Sequence, residues 1–315
     1  MSNDSIEETL REIESHFTGR FLIKRKNSTG IIQEIDTVFD TAVIALELYK
    51  LTKNPKYLQV CFSYFQENAV VSDGKYRWKH NAPRSQSTLP SFPPDGDSTA
   101  LTLLVFYLAE QENISVPIVA NTPQNRQQFQ ELQHPHGIKT WFDNYRPEEE
   151  PDPVVTSAVA LFFIYGKFFS ALYDHLQEVI NEQVKSISEI PEATSYYPSG
   201  RIYFAARAAE IEIHKNGYLE QRAKNSLDDF LRQVSYRNPL EAAWVGTAAA
   251  LREMKEKADE AREYLIKTRE QTGFWPWVPF YNQKTYWQYG HEVTTTVYAM
   301  TALCTIREVL KRRCP

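Results

Sequence analysis

Hydrophobic residues recur along this chain mainly at helical spacing. Val38, Ala42, Ala45 and Tyr49 step by four, three and four residues, which is one face of a helix. Six segments begin with small residues and run on into apolar sequence. They are marked by Ala42, Ala100, Ala158, Ala206, Ala243 and Thr295, at intervals of 37 to 58 residues. More charged, amphipathic segments lie between them, at roughly 55–68, 171–186, 217–234 and 257–271, with a weak one near 124–133. A further helix over about 5–16 supplies another amphipathic member. Proline-rich stretches at 83–94 and 147–153 interrupt the helices. No run of short alternating segments predicts a sheet.

Repeats of this length mean stacked helix pairs. Small residues let one set of helices approach closely, while the charged faces of the other set meet water. The pattern predicts an all-α fold, a single α/α toroid of about six helix pairs spanning residues 1–315. An irregular α-solenoid or bundle is the alternative. The most apolar run, from Val154 to Tyr173, is broken by Thr156, Ser157, Lys167 and Ser170, so it reads as a buried helix rather than a membrane span.

Composition narrows the classes. With 42% hydrophobic and 24% charged residues, 315 residues can bury a sizeable core. Only 11 glycines argue against a Gly-rich nucleotide-binding fold. A net charge of −5 argues against a general nucleic-acid binder, which needs a basic face. Cys61, Cys304 and Cys314 are too dispersed for a disulfide framework or a structural zinc site, and no metal site is expected. The N-terminal stretch is charged and lacks the apolar core of a secretory signal, so the expected compartment is the cytosol.

The most informative stretch is Pro93-Pro94-Asp95-Gly96-Asp97-Ser98-Thr99-Ala100. The prolines stop any helix arriving from the left. Asp95 is then a good N-cap, with Asp97, Ser98 and Thr99 in the first turn, where a helix dipole favours negative charge. Taken alone, such a stretch is also ordinary capping chemistry.

These residues resemble the DxDD-T-A motif of class II terpene cyclases, the squalene–hopene cyclase superfamily. Ser98 stands where the family has its third Asp. A Gly-x-Trp repeat of the family, in which the Trp packs on a helix end, is echoed by Gly273-Phe274-Trp275 and more distantly by Gly74 to Trp78. Asn238-Pro239-Leu240-Glu241 is similar to the helix starts of those repeats. The chain is most like the single-domain cyclases of meroterpenoid precursors. The resemblance implies an α/α toroid and a general acid at Asp97, supported by Asp95, that protonates a terminal alkene or epoxide of a linear polyprenylated substrate. The product is a fused polycycle. It implies no redox cofactor, and Mg²⁺ only if the substrate carries a diphosphate.

Such an acid must keep its proton near neutral pH. Burial of Asp97 beside a charged Asp95 is expected to raise its pKa. The helix N-terminus and the hydroxyls of Ser98 and Thr99 are expected to stabilise the carboxylate left behind. His291, before the last apolar helix, is the histidine best placed to donate to the acid, ahead of His214. The cation then needs dry, electron-rich walls. Candidates are Phe92, Trp141, Trp244, Trp277, Tyr281, Tyr286 and Trp287, each equally able to fill a core. Glu292 is a candidate terminating base, or half of an ion pair. Trp78 and Trp275 are assigned to structural packing. Arg77, Lys79, His80 and Arg84 form a basic patch that reads as a solvated loop or as a seat for an anionic head group. A greasy substrate is consistent with peripheral membrane contact, although no amphipathic anchor stands out.

No DDxxD motif for diphosphate ionisation is present; Asp228-Asp229-Phe230-Leu231-Arg232 lacks its third carboxylate. Two other functions fit the same pattern. A toroidal glycosidase or lyase would pair Asp36 or Asp40 with Asp97 or Glu292. A helical-repeat binding protein would leave Asp97 solvated.

Overall fold

The computed structural model describes residues 3–16, 19–20, 22–27, 30, 32–80, 92–143, 145–146, 148–283 and 287–311. The chain opens with α1 (Asn3–His16), β1 (Leu22–Asn27) and β2 (Ile32–Asp36). Then come α2 (Val38–Thr52), the short α3 (Lys56–Gln59) and α4 (Phe62–Glu67), and the strands β3 (Ala69–Ser72) and β4 (Lys75–Trp78). Next are α5 (Gly96–Gln111), α6 (Pro123–Gln127), β5 (Gln133–His134), β6 (Gly137–Ile138) and α7 (Pro153–Tyr165). The rest comprises α8 (Ala171–Lys185), α9 (Gly200–His214), α10 (Gln221–Gln233), α11 (Pro239–Leu251), α12 (Lys255–Thr268), β7 (Tyr281–Gln283), β8 (Trp287–Gly290) and α13 (Glu292–Lys311).

The chain divides into two compact units. A middle unit comprises Gly19–Leu22 and Glu34–Glu182; a flanking unit comprises Met1–Thr18, Ile23–Gln33 and Gln183–Pro315. In the middle unit α5 packs between α2 and α7. In the flanking unit α11 packs between α9 and α13, with α12 against both α11 and α13. The six helices that carry the small-residue markers are the buried ones. In α5 burial is continuous from Gly96 to Ala109, and in α7 from Val154 to Ile164. A helix apolar on every face has to be surrounded by protein. By contrast α10 is amphipathic, with only Ala223, Leu227, Phe230 and Leu231 buried.

The buried helices start where the sequence places caps. Thr37, Asp95, Asp152 and Asn238 each adopt an extended backbone and accept an amide N–H of the first turn, and proline follows Asp152 and Asn238. One expectation fails: short strands are present. β3 and β4 form an antiparallel hairpin with Ala69 opposite Trp78. β1 pairs with β8 and β8 with β7, placing Lys24 opposite Gly290 and Tyr281 opposite Tyr289. These strands have two to six residues, too few for a period-two pattern to emerge. No helix among the described residues is long and apolar enough to cross a membrane.

Candidate active site

The site grows from a hydrogen bond that recurs. The Trp78 N–H donates to Thr99 Oγ1 at 3.1 Å, the Ile138 N–H to Thr156 Oγ1 at 3.0 Å and the Trp275 N–H to Thr296 Oγ1 at 3.0 Å. In each case a threonine in the first turns of a buried helix holds the connection that precedes it. The indoles of Trp78 and Trp275 are fully buried, and each gives its Nε1–H to a main-chain carbonyl, of Phe65 and Leu265 respectively. The Thr99 hydroxyl oxygen thus accepts the Trp78 N–H, a structural role that the sequence did not suggest. Two residues after Trp78, the His80 carbonyl accepts the Val38 N–H at 2.9 Å; two after Ile138, the Thr140 carbonyl accepts the Gly96 N–H at 2.7 Å. The first two connections therefore each clasp one helix start through a hydroxyl and another through a carbonyl.

This clasp fixes the acid pair. Asp95 caps α5, is 1% exposed, and accepts the Ser98 N–H on Oδ1 at 2.8 Å. Asp97, 4% exposed, accepts the same N–H on its Oδ1 at 3.0 Å. Burial, then the neighbouring Asp97 carboxylate and the hydrogen bond to it, push the Asp95 carboxyl well above the usual carboxylate range, with Ser98 pulling the other way. The carboxyl that burial pushes up is thus the cap itself, directly beside the expected acid. His80 stands beside them. Its ring stacks on Phe39 with centroids 5.2 Å apart, and burial lowers it to about 4 against the opposing pull of Asp97. The sequence placed His80 in a basic loop patch. What could have singled it out is its place two residues past Trp78.

Next to Asp95 runs an aromatic edge. Asp95 and Trp141 form an antiparallel bridge, Phe92 stacks on Trp141 at 5.4 Å, and Tyr145 meets both rings edge-on. Of the basic patch, Arg77 is consumed by Glu131 and Asp143 and lies over the Phe142 ring. Arg84 falls outside the described residues.

The other candidates belong to the flanking unit. Trp244 packs with Tyr203, Phe280 and Tyr298 at centroid distances of 4.7 to 5.7 Å. Tyr281 is buried beside Phe280, and Trp277 is partly buried near Gly290. His291 accepts the Val293 N–H on Nδ1, so it serves the start of its own helix. Glu292 pairs with Lys24, both carboxylate oxygens at 3.1 Å from Nζ, so of its two expected roles the ion pair is the one present. Tyr286 and the side chain of Trp287 lie outside the described residues. Missed by sequence reasoning was a second polar cluster: Arg207 donates to Tyr203 Oη, which lies 3.2 Å from Tyr298 Oη.

No family model matches the sequence, and no curated protein does. Solved structures do. A type II terpene cyclase, MstE from Scytonema, superposes with a TM-score of 0.68 at 13% identity, over 98% of this chain and 99% of that one. The ent-copalyl diphosphate synthase from Streptomyces platensis gives 0.59 at 13% identity, over 95% of this chain and 54% of that one. An α-amylase from Clostridium perfringens gives 0.58 at 13% identity, over 96% and 97%. The chain is similar to all three in fold, and its fold is the all-α, α/α-toroid class, of the kind terpene cyclases use.

Proposed function

We propose that this protein is a protonation-initiated, class II terpene cyclase that converts a linear polyprenylated substrate, of the prenylated aromatic acid kind, into a fused polycycle. Asp97 is the general acid. The observation that carries the reading is a buried second carboxyl beyond the one that caps its helix. Asp95 supplies the cap, and Asp97 is held against Asp95 by a shared amide donor.

The chemistry follows from those residues. An alkene is a poor base, so the acid must be undissociated when the substrate arrives and its anion must be stabilised as the proton leaves. The buried pair retains a proton because two adjacent anions are unfavourable in a low dielectric. The Ser98 amide and the helix N-terminus then take up the developing charge. Neutral His80 keeps a second full charge away from Asp97. The Phe92–Trp141 edge gives the cation an electron-rich face, about 0.5–2 kcal/mol per ring. No redox cofactor is called for, and Mg²⁺ enters only with a diphosphate head group.

The glycosidase reading is weaker. Glycosidase carboxyls stand about 5–9.5 Å apart, whereas Asp95 and Asp97 are close enough to accept the same Ser98 N–H. Glu292 and Asp36 are paired with Lys24 and Arg20. The deciding experiment incubates the protein with prenylated phenols, prenylated aromatic acids and prenyl diphosphates. A product of unchanged mass and altered retention, absent with Asp97→Asn, is expected. Turnover retained by Asp97→Asn, or starch hydrolysis in place of cyclisation, overturns the reading.

A further inference from the structure

The clasps repeat with fixed offsets. In the middle unit the Trp78 N–H meets Thr99 Oγ1; two residues past the donor stands His80, and two before the threonine stands Asp97. The Asp97 charge reaches the His80 ring. In the flanking unit the Trp275 N–H meets Thr296 Oγ1 at 3.0 Å, and the same offsets pick out Trp277 and Thr294. The clasp between Ile138 and Thr156 has Thr140 and Val154 at these places. Where the middle unit sets an acid beside a ring, the flanking unit sets a hydroxyl and an indole N–H.

Thr294 is 1% exposed, and its Oγ1 has no hydrogen-bond partner among the described residues; nor has Trp277 Nε1. A buried polar group without a partner costs about 1–3 kcal/mol and calls for an explanation. The surroundings agree on the place. A Cβ on Gly290, two residues before α13, would stand 3.2 Å from Trp277 Nε1, so the indole N–H lies against the approach to that helix. Lys24, opposite Gly290 in the β1–β8 ladder, holds both oxygens of Glu292 at 3.1 Å. The carboxylate in the first turn of α13 is thereby neutralised, and the positive end of this 20-residue helix is left to be matched. Trp277 is partly buried, which keeps it within reach from outside.

We propose that Trp277 Nε1 and Thr294 Oγ1, at the start of α13, bind the carboxylate of an aromatic acid. A carboxylate accepts through both oxygens, so it can take one hydrogen bond from the indole N–H and another from the hydroxyl. Both bonds are charge-assisted, and the helix dipole adds to them. The ring of the acid packs against the Trp277 indole in an offset or edge-on arrangement. The inference does not depend on the general-acid reading, because it involves neither Asp97 nor turnover.

Calorimetric titration of the full chain with 4-hydroxybenzoate tests the site, alongside 4-hydroxybenzamide, which keeps the ring and loses the charge. The acid should bind, and the amide about tenfold more weakly. Thr294→Val should weaken the acid about tenfold, the worth of one charge-assisted hydrogen bond. Trp277→Phe, which keeps a ring, should do the same. Thr294 Oγ1 has no partner to lose, so the thermal midpoint of ligand-free Thr294→Val should hold or rise. Should either variant fail to fold, Glu292→Gln reads the site from the other direction: it frees Lys24 and should tighten binding of the acid. No binding by the wild type, equal binding of acid and amide, or an affinity that none of these substitutions moves overturns the site. A lowered midpoint in ligand-free Thr294→Val overturns it too, because the hydroxyl then already serves the fold. Cyclisation is not read, so its absence bears on the cyclase reading and leaves this result standing.

Discussion

Val154 occupies in α7 the place that Asp97 occupies in α5. Each lies two residues past an aspartate N-cap, Asp152 and Asp95, and each is followed two residues later by the threonine that takes the N–H of the preceding connection. Both helices begin Pro-Asp and run on through Thr. The helix start is therefore complete without an acid at the second position. Asp97 is an addition to a capping element that works with valine.

That comparison separates the two carboxyls. Asp97→Asn should leave the thermal midpoint unchanged or raised, since a buried acid is lost, the Asp95 cap stays and the amide oxygen can still accept the Ser98 N–H. It should abolish cyclisation, because an amide has no proton to give. Asp95→Asn keeps a good N-cap and removes the neighbour that retains the proton, so activity should fall without vanishing. Product formation alongside a melting curve for each variant checks this; a large loss of stability in Asp97→Asn would return that residue to a structural role.

The threonine clasps make a different forecast. Thr99→Val leaves the buried Trp78 N–H without an acceptor, which costs about 1–3 kcal/mol. Thr296→Val does the same to the Trp275 N–H. The two losses should be alike, because the bonds are 3.1 and 3.0 Å and both tryptophans are fully buried. Denaturant midpoints measure both. A Thr99→Val protein of wild-type stability removes the clasp from the account.

Gly96 sits between the two acids for lack of room. A Cβ there would stand 3.0 Å from Leu132 Cδ1 and 3.1 Å from Val155 Cγ1. Gly96→Ala must push these side chains aside or shift the first turn of α5, at a cost of about 1–3 kcal/mol. The same shift moves Asp97. Activity should fall more steeply than stability, and Leu132→Ala in the same chain should recover part of it by opening space. Failure of the second change to restore any activity would show that Gly96 is not set by this contact.

Much of this was legible in the sequence, and for identifiable reasons. The six buried helices announce themselves because apolar residues on all sides, opened by Ala, Ser or Thr, leave no other stable environment. Asp95 reads as a cap because proline and a short polar side chain at a helix start leave few alternatives. What stayed hidden depends on partners far away in the chain. Glu292 looks like a free base until β8 brings Lys24, 268 residues distant, across from it. Nothing in the sequence near Thr99 shows that its hydroxyl accepts the Trp78 N–H, 21 residues away. His80 looks like part of a solvated loop until that clasp draws the chain after β4 against the start of α2 and the acid. His291 had the attractive sequence position, yet its ring nitrogen serves the amide two residues on.

The pH dependence of stability ties His80 to Asp95 through opposite signs. The Asp95 carboxyl is raised from 3.8, so the folded state binds its proton more tightly than the unfolded chain does. Its contribution to stability therefore declines as pH climbs from 3.8 through the raised value. His80 is lowered from 6.5 to about 4, so the folded state sheds a proton that the unfolded chain keeps. Its contribution rises between about 4 and 6.5. Above pH 4 the two slopes oppose one another in the wild type for as far as the raised Asp95 carboxyl keeps its proton. Asp95→Asn should leave the rising slope exposed, and His80→Phe, which keeps a ring against Phe39, should leave the falling one. Urea midpoints taken every half unit from pH 4 to 7 resolve the pair. If both variants follow the wild-type curve, neither group is the buried titrating centre that the acid chemistry requires.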